Sequence, residues 1–264
     1  MLNIISLGAG VQSSTMALMA ARGLITPMPD AAIFADTGWE PIAVYNWLYQ
    51  LEEKLPFPVY RVSEGNLRED LLNSTRPGGT ERTHSAVPFF TGNGGMGMRQ
   101  CTKDYKLVPL WRKTRELLGQ GRPKPGAVSM WIGISTDEAQ RMKPAAQQYI
   151  SNRWPLIEMG ISRLHCLEWM RESGYPKPPK SSCLGCPYHD NKQWLDIKKN
   201  SPSEWAETVA MDAAIRVKGG KGSAAFTERQ FMHRSMVPLD QVDFRQIENQ
   251  ADLFGDECEG VCGV

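Results

Sequence analysis

Two cysteines lie three residues apart in a short loop that is rich in glycine and proline. Cys183 and Cys186 form the sequence Cys-Leu-Gly-Cys, which Pro187 follows at once. Two thiolates at this spacing in a constrained loop can bind one metal centre. Cys101 and Cys166 come earlier in the chain and raise the number of candidate ligands to four. The sequence therefore predicts a metal centre at these four cysteines, and zinc or an iron-sulfur cluster would accept them equally.

These thiols also have simpler interpretations, which the sequence leaves open. Cys183 and Cys186 could form a thioredoxin-like redox pair, although no strand-to-helix pattern adjoins them. Cys166 falls on a predicted helix and could be a small buried hydrophobic residue, as free cysteine often is. We predict that the Cys183–Cys186 pair and Cys166 all bind a metal.

Two further cysteines, Cys258 and Cys262, lie in the acidic sequence DECEGVCGV at the end of the chain. A thiol on a mobile tail can enter a site as a nucleophile or as a resolving thiol. The acidic neighbours disfavour the reactive thiolate in the free tail, unless a basic pocket receives it. A catalytic tail and a frayed terminus are both open, and we predict Cys258 and Cys262 as candidate catalytic residues.

A glycine-containing turn separates the first predicted strand from the first predicted helix. Residues 2–7 form an apolar run, Gly8, Ala9 and Gly10 follow, and residues 13–22 have apolar residues at helical spacing. Such a turn exposes backbone N–H groups and the positive end of a helix dipole, which favour a phosphate group. The turn is neither a Walker A loop nor a dinucleotide-binding GxGxxG sequence, and many folds use such a glycine for packing alone.

The order of the predicted elements indicates an α/β fold. Further strands are predicted over residues 31–35, 58–62 and 128–134, and a helix over residues 42–54. Strands that alternate with helices favour a mostly parallel sheet with helices on both faces, in which ligands bind beyond the carboxyl ends of the strands. The glycine turn and the sequence Asp-Thr-Gly-Trp-Glu at residues 36–40 both lie at such ends.

The second part of the chain is predicted to be mainly helical. Helices are expected over residues 162–173, 194–199 and 202–217, with the proline-rich cysteine loop before the second of them. We therefore divide the chain into a nucleotide-binding α/β domain, residues 1–160, and a cluster-completing helical region with a flexible tail, residues 161–264. A glycine-rich stretch, residues 75–98, is predicted to be a flexible loop that covers a site.

Composition excludes some classes of protein. The 264 residues include 30 Lys and Arg against 29 Asp and Glu, and this near balance argues against non-specific coating of nucleic acid or membrane. Residues 99–124 nevertheless carry eight Lys and Arg against two acidic residues, which predicts a local positive field. No apolar run has the length of a membrane span, and the N-terminus lacks the pattern of a secretory signal. We therefore expect a cytoplasmic protein that contacts no membrane, and in that compartment disulfides are disfavoured.

Six motifs, in a fixed order, resemble the adenine-nucleotide α-hydrolase, or PP-loop, superfamily and, within it, the phosphoadenylyl-sulfate (PAPS) reductase branch. Together they span residues 2–187. The motifs are GAGVQSS, FADTGWEP, RQCTKDYKLVPLWR, WIGISTDEAQR, WPLIE and CLGCP. The phosphate loop of the superfamily reads SGGxDS, and here Gly8 replaces the first serine and Gln12 replaces the aspartate. A loop that contains glutamine is similar to the loop of sulfonucleotide reductases.

The resemblance implies an adenine nucleotide, ATP or else adenylyl sulfate (APS) or PAPS, with magnesium as an ion that can accompany the phosphates. The residues that match the nucleotide-binding motifs are Gly8, Ala9, Gly10, Gln12, Ser13, Ser14, Asp36, Thr37, Gly38 and Gly133. Arg141 matches the last arginine of the family's GIRxxxxxR stretch. Ser135 replaces the first arginine of that stretch, so one cationic contact to an anionic substrate is missing or relocated.

The resemblance also implies a [4Fe-4S] cluster. Cys101 and Lys106 resemble a segment in which a cysteine ligates the cluster and a basic residue reaches the phosphates of the nucleotide. Cluster-bearing APS reductases have two adjacent cysteines in that segment, whereas this chain has one. Cys166 is therefore expected to supply a ligand beside Cys183 and Cys186.

The resemblance implies sulfur chemistry, in two versions. In the favoured version ATP activates an oxygen of a nucleic-acid or nucleotide acceptor and a sulfur donor replaces it, with Lys103, Lys106 and Arg141 neutralising negative charge. DNA phosphorothioation enzymes resemble this chain in two features. They have a single cysteine within a CTxxxK segment, and a CxxC sequence follows later in the chain. In the alternative version, Cys258 or Cys262 attacks the sulfur of APS or PAPS, and a thiol reductant then releases sulfite. A catalytically silent nucleotide sensor is a third hypothesis, and a homodimer is an open alternative to a monomer.

Overall fold

Five parallel strands form the central sheet of the structure, a computed structural model that describes residues 1–77, 79–81, 85–217 and 229–244. The strands in these residues are β1 (Leu2–Ser6), β2 (Ala31–Asp36), β3 (Val59–Ser63), β4 (Phe90–Thr91), β5 (Val128–Ile132), β6 (Ile150–Arg153) and β7 (Gln230–Phe231). The parallel sheet has the strand order β3-β2-β1-β5-β6, and β4 pairs with β7 in a small antiparallel ribbon.

The predicted α/β fold with a mostly parallel sheet is confirmed. A parallel sheet that is covered on both faces needs strands that are apolar along their whole length. Ile4 and Ile5 of β1 point to opposite faces, and both are fully buried. The four strands that the apolar runs predict all form, with ends that shift by two residues at most.

Helices occupy most of the remaining described residues. The α-helices are α1 (Val11–Ala21), α2 (Ile42–Glu52), α3 (Leu67–Asn73), α4 (Val108–Leu118), α5 (Pro155–Glu158), α6 (Arg163–Glu172), α7 (Asn191–Asn200) and α8 (Pro202–Arg216). A π-helix (Thr102–Leu107) leads into α4, and short 3-10 helices cover Thr136–Arg141 and Leu239–Gln241.

Helices lie on both faces of the sheet. On one face Ile5 belongs to a buried cluster with residues of α1, α2 and α6. On the other face Ile4 packs with Leu110 of α4. Helix α6, which the sequence division assigns to the second region, thus packs against α1 as part of the layer that covers the sheet.

A second buried cluster lies beyond the carboxyl end of β2. Trp39, which follows β2, packs there with Leu184 of the cysteine loop and with side chains from α3, α7 and α8. Trp194 of α7 is fully buried in this cluster. The cluster fixes the cysteine loop against the end of the sheet.

Several elements differ from the sequence predictions. Strand β6, at the sheet edge, is not predicted because its sequence, Ile-Ser-Asn-Arg, has a single apolar residue and so no apolar run. Within the stretch predicted to be a flexible loop, residues 85–90 are buried, and Phe90 pairs with Phe231 in the ribbon. Apolar side chains such as Phe89 pack in the second cluster, so this part is a structural segment rather than an open loop.

A buried carboxylate attaches the last described segment to α8. Asp212 is fully buried, and it accepts hydrogen bonds from the backbone N–H of Met232 at 3.0 Å and of Leu239 at 2.9 Å. Arg216, one turn later on α8, forms an ion pair with the same carboxylate. The pair satisfies a charge that would be costly to bury alone.

His233 in this segment should make the stability of the fold depend on pH. The residue is 1% exposed, and its Nε2 lies 3.0 Å from Asn191 Oδ1. Burial lowers the pKa of His233 to about 4. In the unfolded chain the same group has a pKa of about 6.5. Between these values unfolding takes up a proton, so the free energy of unfolding falls as the pH falls, by about 2 kcal/mol at about pH 5.

Urea unfolding at about pH 7.5 and about pH 5 measures this effect. We expect the His233→Gln protein to lose less stability between these two conditions than the unaltered protein, by about 2 kcal/mol. An unchanged pH dependence in the variant would show that His233 is not the group that takes up the proton.

Candidate active site

Three cysteines line one pocket between the π-helix and the cysteine loop. Cys101, Cys183 and Cys186 share this lining with Arg99 and Lys106, among other residues. We call it the thiol pocket, and we call residues 181–187 the cysteine loop. The structure thus brings together three of the four predicted metal ligands and places two cationic side chains beside them.

The π-helix explains how Cys101 and Lys106 reach the same pocket. Cys101 is the residue before the π-helix and Lys106 lies in its last turn. In a π-helix the backbone hydrogen bonds join residues five apart, so the turn is wider than the 3.6-residue turn of an α-helix. Side chains five residues apart therefore point in more similar directions than they would in an α-helix. Both Cys101 and Lys106 line the thiol pocket.

Trp39 holds the cysteine loop in place. Its carbonyl oxygen accepts a hydrogen bond from the N–H of Leu184 at 2.9 Å, and its indole Nε1 donates to Glu207 at 2.8 Å. The indole ring lies directly on Gly185, where an added β-carbon would be 1.9 Å from Cη2 of the ring. Only glycine fits at this position, so the Leu-Gly sequence between the two cysteines is a packing requirement.

Cys183 lies in a buried polar cluster with residues of the turn at 36–40, which we call the aspartate turn. Its Sγ is 3.2 Å from Thr37 Oγ1 and 3.4 Å from Glu40 Oε1. Lys106 Nζ lies 3.1 Å from the same oxygen of Glu40. Burial raises the pKa of the Cys183 thiol well above its ordinary value, the Glu40 carboxylate raises it further, and Lys106 opposes both. A metal that binds here must displace the thiol proton.

His189 supports the cysteine loop from behind. Its Nε2 donates to the carbonyl oxygens of Cys183 at 3.0 Å and Leu184 at 3.2 Å, which fixes the tautomer because a carbonyl can only accept. The imidazole ring packs edge-on against the Trp194 indole, with 4.6 Å between the ring centroids. Burial lowers the pKa of His189 to about 4, so the ring is neutral near pH 7.

The glycine turn, residues 8–10, connects β1 to the N-terminus of α1. Ala9 has a positive φ of 57°, and Gly10 is the N-cap residue without a side chain to cap the helix. Ser13 Oγ donates to the Gly10 carbonyl at 3.4 Å, whereas Ser14 Oγ accepts from Trp47 Nε1 at 2.9 Å. The hydroxyl of Ser14 is therefore turned toward α2 and the core.

Gly133 at the end of β5 packs against the first turn of α1. An added β-carbon would lie 2.8 Å from both the backbone nitrogen and the Cα of Ser13. This close approach of two backbones requires glycine. It places the end of β5 beside the N-terminus of α1.

Gln12, in the first turn of α1, lies in a buried network. Its Nε2 donates to Glu138 Oε2 at 3.2 Å and to Ser135 Oγ at 3.4 Å, while its Oε1 accepts from Arg163 at 3.0 Å. Arg141 pairs with Glu138 at 2.6 Å. Burial raises the pKa of Glu138, and the Arg141 charge opposes this shift. Arg163 thus supplies a cation close to the position where Ser135 replaces an arginine.

The aspartate turn has a fixed shape beside the glycine turn. Asp36 Oδ1 accepts from the N–H of Gly38 and from the hydroxyl of Tyr45, both at 2.7 Å. Gly38 has a φ of +70°, and an added β-carbon would be 3.0 Å from the Cα of Asn66. Since β1 and β2 are neighbouring parallel strands, their carboxyl ends bring the two turns to the same edge of the sheet.

Cys166 does not line the thiol pocket. It is fully buried in the first core cluster, on the side of α6 that faces α1. Burial raises the pKa of its thiol to about 12, although a hydrogen bond with Thr15 lowers it somewhat. The structure therefore places Cys166 as a small core residue, away from the other three cysteines. Cys258 and Cys262 lie outside the described residues.

The basic stretch at residues 99–124 is partly neutralised by ion pairs. Besides the Lys106–Glu40 pair, Lys113 pairs with Glu116 at 2.6 Å, and Arg112 pairs with Glu64.

A separate open groove of about 600 Å³ lies on the other side of the cysteine loop. Its cationic lining residues are Arg163, Lys177, Lys180 and Lys192.

Sequence reasoning did not single out Arg163, Glu40 or Ser181 as site residues. Arg163 is the first residue of α6, far along the chain from Gln12, so no local motif connects them. Glu40 stands within the recognised FADTGWEP motif, but only the fold shows its contact with Cys183. Ser181 precedes the cysteine pair, and only the fold brings it to the glycine turn.

Among the described residues, no group of three or more His, Cys, Asp or Glu side chains has the spacing to hold a single metal ion. No helix in the described residues is long and apolar enough to cross a membrane. In comparisons with known proteins, no family model matches the chain and no curated protein matches its sequence.

Proposed function

We propose that the chain is a cytoplasmic iron-sulfur enzyme, similar to the PAPS-reductase-like branch of the PP-loop superfamily, that binds ATP and transfers sulfur to a nucleic acid or nucleotide. One observation carries this proposal. Ser181 of the cysteine loop faces Gly10 of the glycine turn, while Thr37 of the aspartate turn touches Cys183. The nucleotide-type turns and the thiol pocket are therefore parts of one site.

The thiol pocket fits an iron-sulfur cluster in the type of its donors. Three thiols converge from two segments, and soft thiolate ligands select iron-sulfur clusters, zinc or copper(I). A polynuclear cluster does not need ligands spaced for a single ion, since its thiolates bind different iron atoms. Cys101, Cys183 and Cys186 would hold the cluster, and Cys166 remains a core residue. When bound, the cluster supplies an electrophilic metal and a place for sulfur next to the nucleotide.

The N-terminus of α1 supports a nucleotide phosphate in the glycine turn. The first N–H groups of a helix have no acceptor within the helix, and the helix dipole favours an anion there. Gly133 lets the end of β5 pack against the first turn of α1, and Gly10 lets Ser181 of the cysteine loop approach the N-cap position. We infer that the turn binds the phosphates of ATP, and that the aspartate turn borders the rest of the nucleotide.

The cationic side chains around the site have separate roles in this proposal. Lys106, paired with Glu40 and beside Cys183, stabilises negative charge that develops at the thiol pocket. Arg163 and Arg141, which hold the Gln12 network, stabilise negative charge at the phosphates. In the reaction, the acceptor oxygen takes the adenylyl group of ATP and pyrophosphate leaves. A sulfur donor then replaces that oxygen, which departs with AMP.

The groove beyond the cysteine loop supports an anionic acceptor. Lys177 and Lys192 line it, and neither forms an ion pair with another described residue. Two of its carboxylates, of Asp190 and Glu204, accept hydrogen bonds at the N-termini of α7 and α2, where helix dipoles compensate their charge. Ser182 lines both the groove and the thiol pocket, so an acceptor in the groove would reach the cluster through this point.

The alternative function is the reduction of APS or PAPS with release of sulfite. Gln12 in the phosphate loop favours it, since sulfonucleotide reductases have such a loop. It requires a thiol nucleophile, for which Cys258 and Cys262 are the candidates.

A turnover assay separates these functions. The protein is reconstituted anaerobically with iron and sulfide. It then receives either labelled ATP with single-stranded DNA or RNA and hydrosulfide as the sulfur donor, or labelled APS or PAPS with a thiol reductant. Acceptor-dependent release of AMP and pyrophosphate supports sulfur transfer, and sulfite release that is lost in Cys258→Ser supports the reductase. Tight nucleotide binding without either product would contradict both and leave a nucleotide sensor.

A further inference from the structure

Ser181 has a buried hydroxyl that faces the start of α1. The residue is 3% exposed, and its Oγ has no hydrogen-bond partner among the described residues. A β-carbon added to Gly10 would lie 2.7 Å from this oxygen, so the hydroxyl points at the N-cap position of the helix. An unsatisfied buried hydroxyl is costly, and native proteins rarely keep one without a ligand or water.

Helix α1, which begins next to this hydroxyl, offers hydrogen-bond donors at its N-terminus. Helix α1 has 11 residues and no side-chain cap, so the N–H groups of its first turn point out of the helix end without an intrahelical acceptor. Val11 and Gln12 in that turn are buried as well. A hydroxyl beside such N–H groups can bind, together with them, a ligand rich in acceptor atoms. A tetrahedral oxyanion, with oxygen atoms on all sides, meets this requirement.

We propose that Ser181 donates a hydrogen bond to a phosphate or sulfate group held at the N-terminus of α1, so that the helix and the cysteine loop bind one oxyanion together. This inference rests on the proposed binding of a nucleotide at the glycine turn. The oxyanion is either a phosphate of ATP or the sulfate of APS or PAPS. Ser181 lies two residues before Cys183, so the bound oxyanion also fixes the distance between the nucleotide and the thiol pocket.

The first test is the affinity of the Ser181→Ala protein for ATP, pyrophosphate, APS and PAPS, measured by isothermal titration calorimetry. A hydrogen bond to a charged group is lost, so we expect the affinity to fall about 10-fold to 100-fold for the ligands that place an oxyanion there. The affinity for adenosine, which has no oxyanion, should not change. A loss confined to ATP and pyrophosphate identifies the phosphate, and a loss confined to APS and PAPS identifies the sulfate.

The stability of the free protein provides a second readout. Because the hydroxyl has no partner, its removal takes away no hydrogen bond, and the free Ser181→Ala protein should melt at the same temperature as the unaltered protein or higher. A purely structural role for Ser181 would lower the melting temperature instead. Ser129→Ala is the matched control, since Ser129 is a buried serine of β5 near the opposite end of the sheet. Its nucleotide affinity should equal that of the unaltered protein.

Gly10→Ala tests the same space without removing the hydroxyl. The added methyl group would occupy the position next to Ser181 Oγ, so we expect it to weaken oxyanion binding at least as much as Ser181→Ala does. If Ser181→Ala and Gly10→Ala both bind all four ligands as tightly as the unaltered protein, the inference is overturned and the proposed nucleotide binding stands. If the unaltered protein binds none of the four ligands, both are overturned.

Discussion

The Gly185→Ala protein should lose the cysteine loop and with it the ability to take up iron. The methyl group would lie 1.9 Å, 2.4 Å and 2.8 Å from three carbon atoms of the Trp39 ring, well inside van der Waals contact. The Trp39 ring cannot swing away without breaking the hydrogen bond from its Nε1 to Glu207, and it is buried in the second cluster. Overpacking of a core commonly costs about 1–3 kcal/mol, and we expect about 3 kcal/mol or more here because the ring is both buried and hydrogen-bonded.

Urea unfolding and the iron content after anaerobic reconstitution measure this effect. Gly92→Ala is the matched control, because an added β-carbon there would meet its nearest neighbour at 3.7 Å, an ordinary contact. We expect the control to keep the iron content of the unaltered protein. Retention of both stability and iron by Gly185→Ala would mean that Trp39 does not hold the loop as described.

The Gly133→Ala protein should lose nucleotide binding while the thiol pocket stays intact. Its methyl group would lie 2.8 Å from the backbone nitrogen and Cα of Ser13, and backbone atoms cannot rotate away as a flexible side chain could. The first turn of α1 must shift, which displaces the N–H groups that are proposed to bind phosphate. We expect the affinity for ATP to fall about 100-fold and the stability to fall by about 2–3 kcal/mol.

Calorimetry with ATP, together with the iron content, distinguishes local from global damage. We expect the iron content of Gly133→Ala to equal that of the unaltered protein, because Cys101, Cys183 and Cys186 lie on other segments. Unchanged affinity for ATP in this variant would show that the glycine turn is not the phosphate site. The Gly92→Ala control should bind ATP normally.

The sequence predicted the scaffold well because the scaffold depends on local patterns. The apolar runs that become β1, β2, β3 and β5 are recognisable without their neighbours, and β5 is buried along its whole length. Strand β6 was not predicted because its sequence, Ile-Ser-Asn-Arg, has a single apolar residue and therefore no such run. The π-helix that brings Cys101 beside Lys106 has no sequence signature that separates it from an α-helix.

The sequence indicated the segments that form the candidate site, but not the contacts between their side chains. Motif order indicated the glycine turn, the aspartate turn and the cysteine pair, and all of them lie at one end of the molecule. Arg163 beside Gln12 and Ser181 beside Gly10 depend on packing between segments more than 150 residues apart in sequence, which no local pattern encodes. Cys166 shows the converse, since it looks like a ligand in the sequence and is a core residue of α6 in the structure.

The central claim is that Cys101, Cys183 and Cys186 hold an iron-sulfur cluster beside the nucleotide turn, and iron and sulfide counts in cysteine variants test it most directly. After anaerobic reconstitution we expect about four iron atoms per chain in the unaltered protein and in Cys166→Ala, with an EPR signal on reduction. Cys183→Ala should bind less than about a quarter of that iron, since a thiolate ligand is lost. A colourless unaltered protein, or equal loss of iron in Cys166→Ala and Cys183→Ala, would contradict the account.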